Sequence, residues 1–204
     1  HDTSRTSAMR QACPVEDNRV LRHDASNLPA FLYVLQEQEP KAFTSIERTI
    51  QSIAPYFKRF NLAPSKLSPD QISLVWEEQN SDMYLDAQSL SDGTLRFIAL
   101  ATLLLQPEPP KTIVIDEPEL GLHPAAIEKL SGLVRVASQR GAQVLIATQS
   151  SSLVSCFEPE DILVVERQDG STVFSRPDKE RLASWLEDYS LGELWEKNLI
   201  GGKP

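Results

Sequence analysis

The sequence has little cysteine and no long apolar run, and both absences limit what the protein can be. Its two cysteines, Cys13 and Cys156, are too few and too far apart for a disulfide framework or a cysteine-based zinc site. The longest nearly apolar run, residues 97–105, reaches only half of the ~20 residues that a bilayer span requires. Because nothing at the start resembles a signal peptide, we expect a soluble, cytoplasmic protein with no membrane partner.

Basic residues are also in short supply. The 20 Lys and Arg are outnumbered by 29 Asp and Glu, which gives a net charge of −9. This balance argues against a broad phosphate-binding face but leaves room for a local basic groove. The hydrophobic fraction of 41% over 204 residues predicts a folded chain with one large domain, or one domain and an appendage. The chain opens on His1 rather than Met, which favours a processed chain or a fragment.

The first half of the sequence predicts two amphipathic helices and a pair of short strands. Apolar residues recur at helical spacing over 28–35 and again over 43–53, where Pro55 ends the pattern. Residues 72–76 and 83–85 are rich in β-branched, aromatic and other apolar side chains and flank a polar turn, so we expect antiparallel strands there.

The second half alternates short apolar runs with helical patterns. Runs at 112–115, 144–147 and 162–165 predict strands of a parallel sheet covered on both faces. A helix is expected over 124–138, and Asp169-Gly170 predicts a tight hairpin at the sheet edge. The fold class is therefore α/β, with a mostly parallel sheet flanked by helices and an antiparallel edge hairpin.

The segment most suggestive of chemistry is the strand that ends in Asp116 and Glu117. Open α/β sheets bind ligands at the carboxyl ends of their strands, and two adjacent carboxylates are best tolerated beside a divalent cation such as Mg²⁺. Asp116 would help to hold the metal, and Glu117 would accept or orient the proton of an attacking water. The alternative is a strand that simply ends in solvated acids.

A second segment, Leu90-Ser91-Asp92-Gly93-Thr94, directly precedes an apolar helical run. A Ser-x-Gly turn at a helix N-terminus offers a hydroxyl and free amides to an anion, for which phosphate is the natural candidate. Ordinary helix capping is the competing interpretation.

Together these segments resemble the RecF/SMC/OLD-like group of ABC-class ATPases, which is often placed among the AAA family ATPases. The resemblance covers about residues 26–204. The matching segments are the signature at 90–94, the Walker B strand at 113–117, the D-loop region at 120–124, the switch strand at 143–150, and a tail at 189–195 with the glycines 201–202.

The resemblance implies a P-loop NTPase fold that uses ATP and Mg²⁺. Asp116 would serve the metal and Glu117 the hydrolytic water, while Ser91 and Gly93 would contact the γ-phosphate held by an opposing protomer. Leu90, Asp92 and Thr94 complete that cofactor-binding turn, and His123 would lie near the interface of a homodimer closed around nucleotide. DNA, and a partner nuclease or effector, are the further candidate partners, in DNA repair, chromosome maintenance or phage defence.

The sequence departs from the family pattern at two places. Gln149 stands where a switch His is usual and cannot take up a proton, which predicts slow or differently gated hydrolysis. No Gly-x-x-x-x-Gly-Lys-Ser/Thr loop occurs among the eight glycines. We therefore expect the carboxyl-terminal part of a longer ATPase, inactive without its Walker A lobe. Its expected parts are a loop or poorly ordered lead-in at 1–25, a helical and antiparallel subdomain at 26–89, half of an ATPase core at 90–178, and terminal helices at 179–204.

Two other functions stay open from the sequence alone. A non-enzymatic regulatory or dimerisation module would keep the fold without catalysis. A metal-dependent nuclease or phosphatase would need Asp116, Glu117, Glu119 and Asp161 to converge on one metal.

Overall fold

A computed structural model describes residues 3–202 of the chain. These residues form two compact units: one contains the chain up to Val114 together with Leu120–Leu145, and the other contains Ile115–Glu119 together with the chain from Ile146 onward. The helices are α1 (Leu28–Gln38), α2 (Pro40–Ile53), α3 (Asp92–Leu105), α4 (Pro124–Gln139), α5 (Ser151–Val154), α6 (Lys179–Leu186) and α7 (Leu191–Glu196). The strands are β1 (Cys13–Pro14), β2 (Phe57–Phe60), β3 (Gln71–Ile72), β4 (Val75–Glu78), β5 (Tyr84–Asp86), β6 (Thr112–Asp116), β7 (Gln143–Ala147), β8 (Val164–Gln168) and β9 (Ser171–Ser175).

The two amphipathic helices of the first half are confirmed as α1 and α2. Each has a proline in its first turn, where the missing amide hydrogen costs no helical hydrogen bond. Asn27 precedes α1 but does not cap it with its side chain. The side-chain amide of Asn27 instead donates to the carbonyls of Asp17 and Val20, which fixes the preceding loop against the start of the helix. No helix within the described residues is long and apolar enough to cross a membrane.

The predicted antiparallel strands are confirmed, with shifted boundaries. β4 is the central strand of an antiparallel sheet in the order β2-β4-β5, while Ile72 belongs to the separate strand β3. β2 has no counterpart in the sequence-based prediction. Its Phe57 ring stacks on Trp76 of β4 at 5.9 Å between centroids and packs edge-on against Phe60 at 4.8 Å. Aromatic packing of this kind forms the centre of the first unit's core.

The first 25 residues show no periodicity in sequence, yet much of this segment packs against the core. Ala8–Arg10 form a 3₁₀ turn that places Met9 in a fully buried position. β1 then pairs antiparallel with β3, with Cys13 opposite Ile72. Burial raises the pKa of the Cys13 thiol, as expected for a cysteine that acts as a small apolar side chain.

β6 and β7 form a parallel pair. The Gln143 amide donates to the Lys111 carbonyl at the start of the pair, and the Glu117 amide donates to the Ala147 carbonyl at its end, both at 2.8 Å. Ile113 and Ile115 are buried, whereas Val114 is 76% exposed and Leu145 of β7 is 47% exposed. The prediction that helices cover both faces is therefore wrong for these strands, because one face carries apolar side chains open to solvent.

The third predicted parallel strand, at 162–165, takes a different place. β8 begins at Val164 and pairs antiparallel with β9, and within residues 3–202 it has no ladder to β6 or β7. Asp169 and Gly170 join the two strands with positive φ angles of 49° and 83°, so the predicted tight hairpin is confirmed.

Helix α7 packs closely within the second unit. Ser190 and Glu193 have the sequence spacing that predicts a capping box, and they form that box at the start of α7. Gly192 of α7 lies so close to α5 that a Cβ atom there would stand 2.1 Å from the Ser151 carbonyl oxygen. The Gly192 amide also donates to the Ser155 hydroxyl at 3.1 Å, so a side chain would separate two hydrogen-bonded elements.

We predict that Gly192→Ala lowers the stability of the second unit by about 1–3 kcal/mol, because backbone has to move to admit the methyl group. Gly132→Ala is the control: nothing lies within 4 Å of a Cβ at Gly132, which is inside α4. That control should be neutral or stabilising. Thermal unfolding followed by circular dichroism compares the two, and equal effects would contradict the close α5–α7 packing.

Candidate functional site

The end of β6 presents two carboxylates in different environments. Asp116 is exposed and Glu117 is half-buried. Glu117 has a φ angle of +43°, which a non-glycine residue rarely adopts and which the hydrogen bond from its amide to Ala147 helps to hold. Strain of this kind is concentrated at functional sites. The structure thus fixes the backbone of Glu117 tightly at the carboxyl end of a parallel pair.

A third acid of the same segment connects the ends of the two strands. Glu119 is only 9% exposed, and its Oε1 accepts a hydrogen bond from the Thr148 hydroxyl at 2.5 Å. The Thr148 Oγ1 in turn accepts from the Ser150 amide at 3.0 Å. Gln149 therefore lies between Thr148 and Ser150, both of which are held by hydrogen bonds, and its own side chain is exposed. The other carboxylate oxygen of Glu119 is buried with no hydrogen-bond partner among the described residues.

The Leu90–Thr94 turn caps α3. The Ser91 hydroxyl oxygen accepts from the Thr94 amide at 3.1 Å, and the two side-chain oxygens are 2.9 Å apart. Ser91 and Asp92 are exposed, whereas the side chains of Leu90 and Thr94 are buried. The hydroxyl of Tyr56, on the loop between α2 and β2, lies 2.9 Å from that of Thr94. An external ligand would thus meet Ser91, Asp92 and backbone atoms of the turn.

Gly93 brings the turn against the D-loop region. A Cβ at Gly93 would stand 2.2 Å from the carbonyl oxygen of Gly121, which itself has a φ angle of +76°. Two of the segments singled out in the sequence thus meet within the first unit at a backbone contact that only glycine permits. His123 follows two residues later and is exposed; its Nδ1 accepts from the Ala125 amide at 3.3 Å, so it caps α4.

Arg10 holds the signature turn, a role that its sequence context does not indicate. Nothing near Arg10 in the sequence distinguishes it from a solvated surface cation, yet its side chain is only 3% exposed. The guanidinium donates to the carbonyls of Ala87 and Leu90 and pairs with an Asp92 carboxylate oxygen at 2.6 Å. Its Nε donates to the Thr3 carbonyl at 3.0 Å, which ties the start of the described chain to the turn.

The part of the chain that the structure describes shows no carboxylate cluster of the kind that a nuclease would need. Within residues 3–202, no group of three or more His, Cys, Asp or Glu side chains is placed to hold a metal ion. Asp161 instead caps the 3₁₀ turn Pro159–Asp161, where its Oδ2 accepts from the Glu158 amide at 3.2 Å.

The chain is similar in sequence to a known protein family. Residues 13–155 match the family model described as "AAA domain, putative AbiEii toxin, Type IV TA system". The chain belongs to this family. Together with the relatives and solved structures described next, this match confirms the place in the RecF/SMC/OLD-like group of ABC-class ATPases that the motifs indicate.

Two curated proteins are similar in sequence to parts of the chain. The chain is 30% identical over 127 residues to the Old nuclease of Escherichia phage P2. The aligned region covers 57% of this chain and 22% of that protein. It is 24% identical over 167 residues to the phosphate import ATP-binding protein PstB 2 of Listeria monocytogenes serotype 4b, which covers 77% of this chain and 59% of that protein. The chain thus spans less than two thirds of either relative.

Solved structures agree on the fold. A structure described as "Structural biochemistry of ATP-driven dimerization and DNA stimulated activation of SMC ATPases" aligns with a TM-score of 0.55 at 15% identity, over 77% of this chain and 96% of that one. The Smc head domain of Pyrococcus furiosus bound to the C-terminal domain of ScpA aligns with a TM-score of 0.53 at 16% identity, over 81% and 44%. This AAA-family chain therefore has the SMC-head type of P-loop NTPase fold.

We predict that Arg10→Met destabilises the first unit by about 2–4 kcal/mol, because the carbonyls of Ala87 and Leu90 lose their buried donor. Arg22→Met is the control. Arg22 pairs with Asp17 at the surface, so its loss should cost less than about 1 kcal/mol. Urea unfolding measures both variants, and similar small losses in both would show that Arg10 does not hold the turn.

Proposed function

We propose that the chain supplies the signature, Walker B and switch regions of a Mg²⁺-dependent ATPase. The observation that carries the proposal is the end of β6, where an exposed Asp116 is followed by a Glu117 held in a strained conformation. A catalytic carboxylate has to be fixed relative to the water that it orients. The family and the SMC-head fold supply the chemical context for these two acids.

The residues present fit Mg²⁺. This ion is usually bound by one or two protein carboxylates together with substrate phosphates rather than by an all-protein cage. Asp116 offers one exposed carboxylate, which agrees with that mode of binding. When bound, the ion would offset negative charge on the phosphate oxygens.

Glu117 and Gln149 would act on the attacking water. The half-buried Glu117 carboxylate would accept its proton, and the exposed Gln149 amide would hydrogen-bond to the water or to a phosphate oxygen. The hydrogen bond between Glu119 and Thr148 would keep the residue before Gln149 in place. Because an amide cannot take up a proton, we expect turnover to be slow.

The signature turn would act across a dimer. The γ-phosphate of nucleotide held by an opposing protomer would meet the exposed Ser91, Gly93 and the amides at the start of α3. The close contact of Gly93 with Gly121 would hold this turn in place. ATP would then close a homodimer and hydrolysis would reopen it.

A segment with a phosphate loop would complete the nucleotide site. The apolar side chains of Val114 and Leu145 are exposed on the sheet, and packing of such a segment against them would remove that surface from water. The relatives are longer than the matched region, which leaves room for the loop in a fuller protein or in a partner chain.

The cellular role that we propose is work on DNA, in repair, chromosome maintenance or defence against phage, with a partner nuclease or effector. This proposal rests on the similarity to the Old nuclease and to SMC ATPases with DNA-stimulated activation.

We predict that the chain, co-expressed with a phosphate-loop segment, hydrolyses ATP in a Mg²⁺-dependent manner and that Glu117→Gln lowers kcat by more than about 100-fold. The amide keeps the size of the side chain but cannot accept the proton. Phosphate release under saturating ATP measures the effect.

Glu187→Gln is the matched control, because Glu187 is an exposed acid of the same unit outside the proposed site. Unchanged turnover in Glu117→Gln would remove Glu117 from the mechanism. Tight ATP binding without any turnover in the unmodified pair would instead favour the regulatory dimerisation module.

We predict that Gln149→His raises kcat by about tenfold, because an imidazole can carry a proton or a positive charge near the phosphate. The pH profile is the decisive readout. A new titration near the ordinary histidine pKa should appear in kcat, and a profile identical to that of the parent would place Gln149 away from the reacting groups.

A further inference from the structure

A shallow groove of about 660 Å³ lies between α2 and α4, within the first unit and apart from every residue assigned to the ATPase. Its lining is basic and rich in hydroxyl groups, and it includes no acidic side chain. The polar lining residues that matter are Lys41, Thr44, Ser45, Arg48 and Ser52 from α2, and Lys129 from α4. Positive charge is thus concentrated in this groove on a chain whose net charge is −9.

The sequence of α2 places these side chains on one face of the helix. Lys41, Thr44, Ser45, Arg48 and Ser52 follow the spacing of successive helical turns, and all five are exposed. Phe43, Ile46 and Ile50 on the opposite side are buried. From residue 41 to residue 52 the helix rises by ~16 Å. That length matches about five nucleotides of a duplex strand at ~3.4 Å each.

Among the described residues, the groove cations form no ion pair, in contrast to Lys58 and Arg59 of the same unit. Lys58 and Arg59 both pair with the buried carboxylate of Glu77, at 3.1 and 2.9 Å. Among the described residues, no carboxylate lies within 4 Å of Lys41, Arg48 or Lys129. The positive charge of the groove is therefore not neutralised by the protein itself.

Glu47, the one acid within α2, is directed elsewhere. Its carboxylate accepts a hydrogen bond from the Phe60 amide of β2 at 2.8 Å, and burial raises the pKa of this carboxyl group. It does not line the groove. The charge of the groove is thus positive along its whole length.

We propose that the α2–α4 groove binds the sugar-phosphate backbone of a nucleic acid. Lys41, Arg48 and Lys129 would contact successive phosphates, while Thr44 and Ser45 would donate hydrogen bonds to phosphate oxygens. This proposal deepens the DNA part of the proposed function by assigning a contact surface, and it needs neither ATP nor a phosphate-loop segment.

The lining favours nucleic acid over the other polyanions. A membrane surface would be met by several apolar or aromatic side chains beside the cations; among the described residues that line this groove, Pro40 alone is apolar and none is aromatic. Hydroxyl groups in line with cations suit a repeating phosphate backbone, because neutral hydroxyls add hydrogen bonds without adding charge. An acidic protein segment becomes one of the outcomes that the test separates.

The test measures binding of a fluorescent 20-base-pair duplex DNA to the chain by anisotropy, without nucleotide, over a range of salt concentrations. We expect log K to fall with log salt at a slope of about −2 to −3, for three neutralised phosphates. Lys41→Glu combined with Arg48→Glu should weaken binding by about tenfold or more and reduce the slope by about two. Arg48→Lys should retain most of the affinity.

Lys66→Glu is the control, since Lys66 is exposed in the same unit but lies outside the groove. To match the change of four charge units, it is combined with Lys111→Glu, a second exposed lysine of that unit. Equal losses in both double variants would show that only net charge matters, and unchanged binding in the groove variant would place the contact elsewhere. Equally tight, groove-dependent binding of poly-glutamate would identify an acidic-protein site. Each of these results overturns the proposal and leaves the ATPase untouched.

Discussion

The parallel pairing of β6 with β7 is the constraint on which the candidate site depends. β6 and β7 run in the same direction, so their carboxyl ends lie side by side. The hydrogen bond from the Glu117 backbone amide to the Ala147 carbonyl fixes where the two strands leave the sheet. That bond helps to hold Glu117 at a positive φ angle and leaves Asp116 exposed. The Thr148 hydroxyl then donates to buried Glu119, so the loops after the two strands are joined as well.

The signature turn is held by different contacts, made by Arg10 and Gly93. It is a polar loop at the start of α3, and by itself a Ser91 cap would leave it free to adopt several conformations. Arg10 removes that freedom from one side by binding two carbonyls and the Asp92 carboxylate. Gly93 limits it from the other through its contact with Gly121. The turn is thus held from two sides although Ser91 and Asp92 are exposed, and a phosphate-binding turn requires such support.

The sequence predicted well those elements that are determined by residues close together in the chain. The stripes of α1 and α2, the Asp169-Gly170 hairpin and the Ser190 capping box all follow from spacing within a few residues, and the structure confirms them. Within the site, the motifs located the signature turn and the β6 acids, whereas their catalytic roles stay predictions.

What the sequence could not reveal depends on distant partners. Arg10 meets residues about eighty positions away, and no local pattern distinguishes such an arginine from a solvated one. The apolar run around Val114 indicated coverage on both faces, since hydropathy reports what a side chain favours and not which segment covers it. β8 was misplaced for a related reason, because its run suits either a parallel or a hairpin strand.

The most direct test of the account is the effect of Mg²⁺ on ATP affinity in the chain joined with a phosphate-loop segment, measured by calorimetry with and without EDTA. If Asp116 stands beside the triphosphate, the unmodified pair binds ATP about tenfold or more tightly with Mg²⁺, and Asp116→Asn removes most of that difference. A Mg²⁺ effect of unchanged size in Asp116→Asn would contradict the placement of the nucleotide at the end of β6.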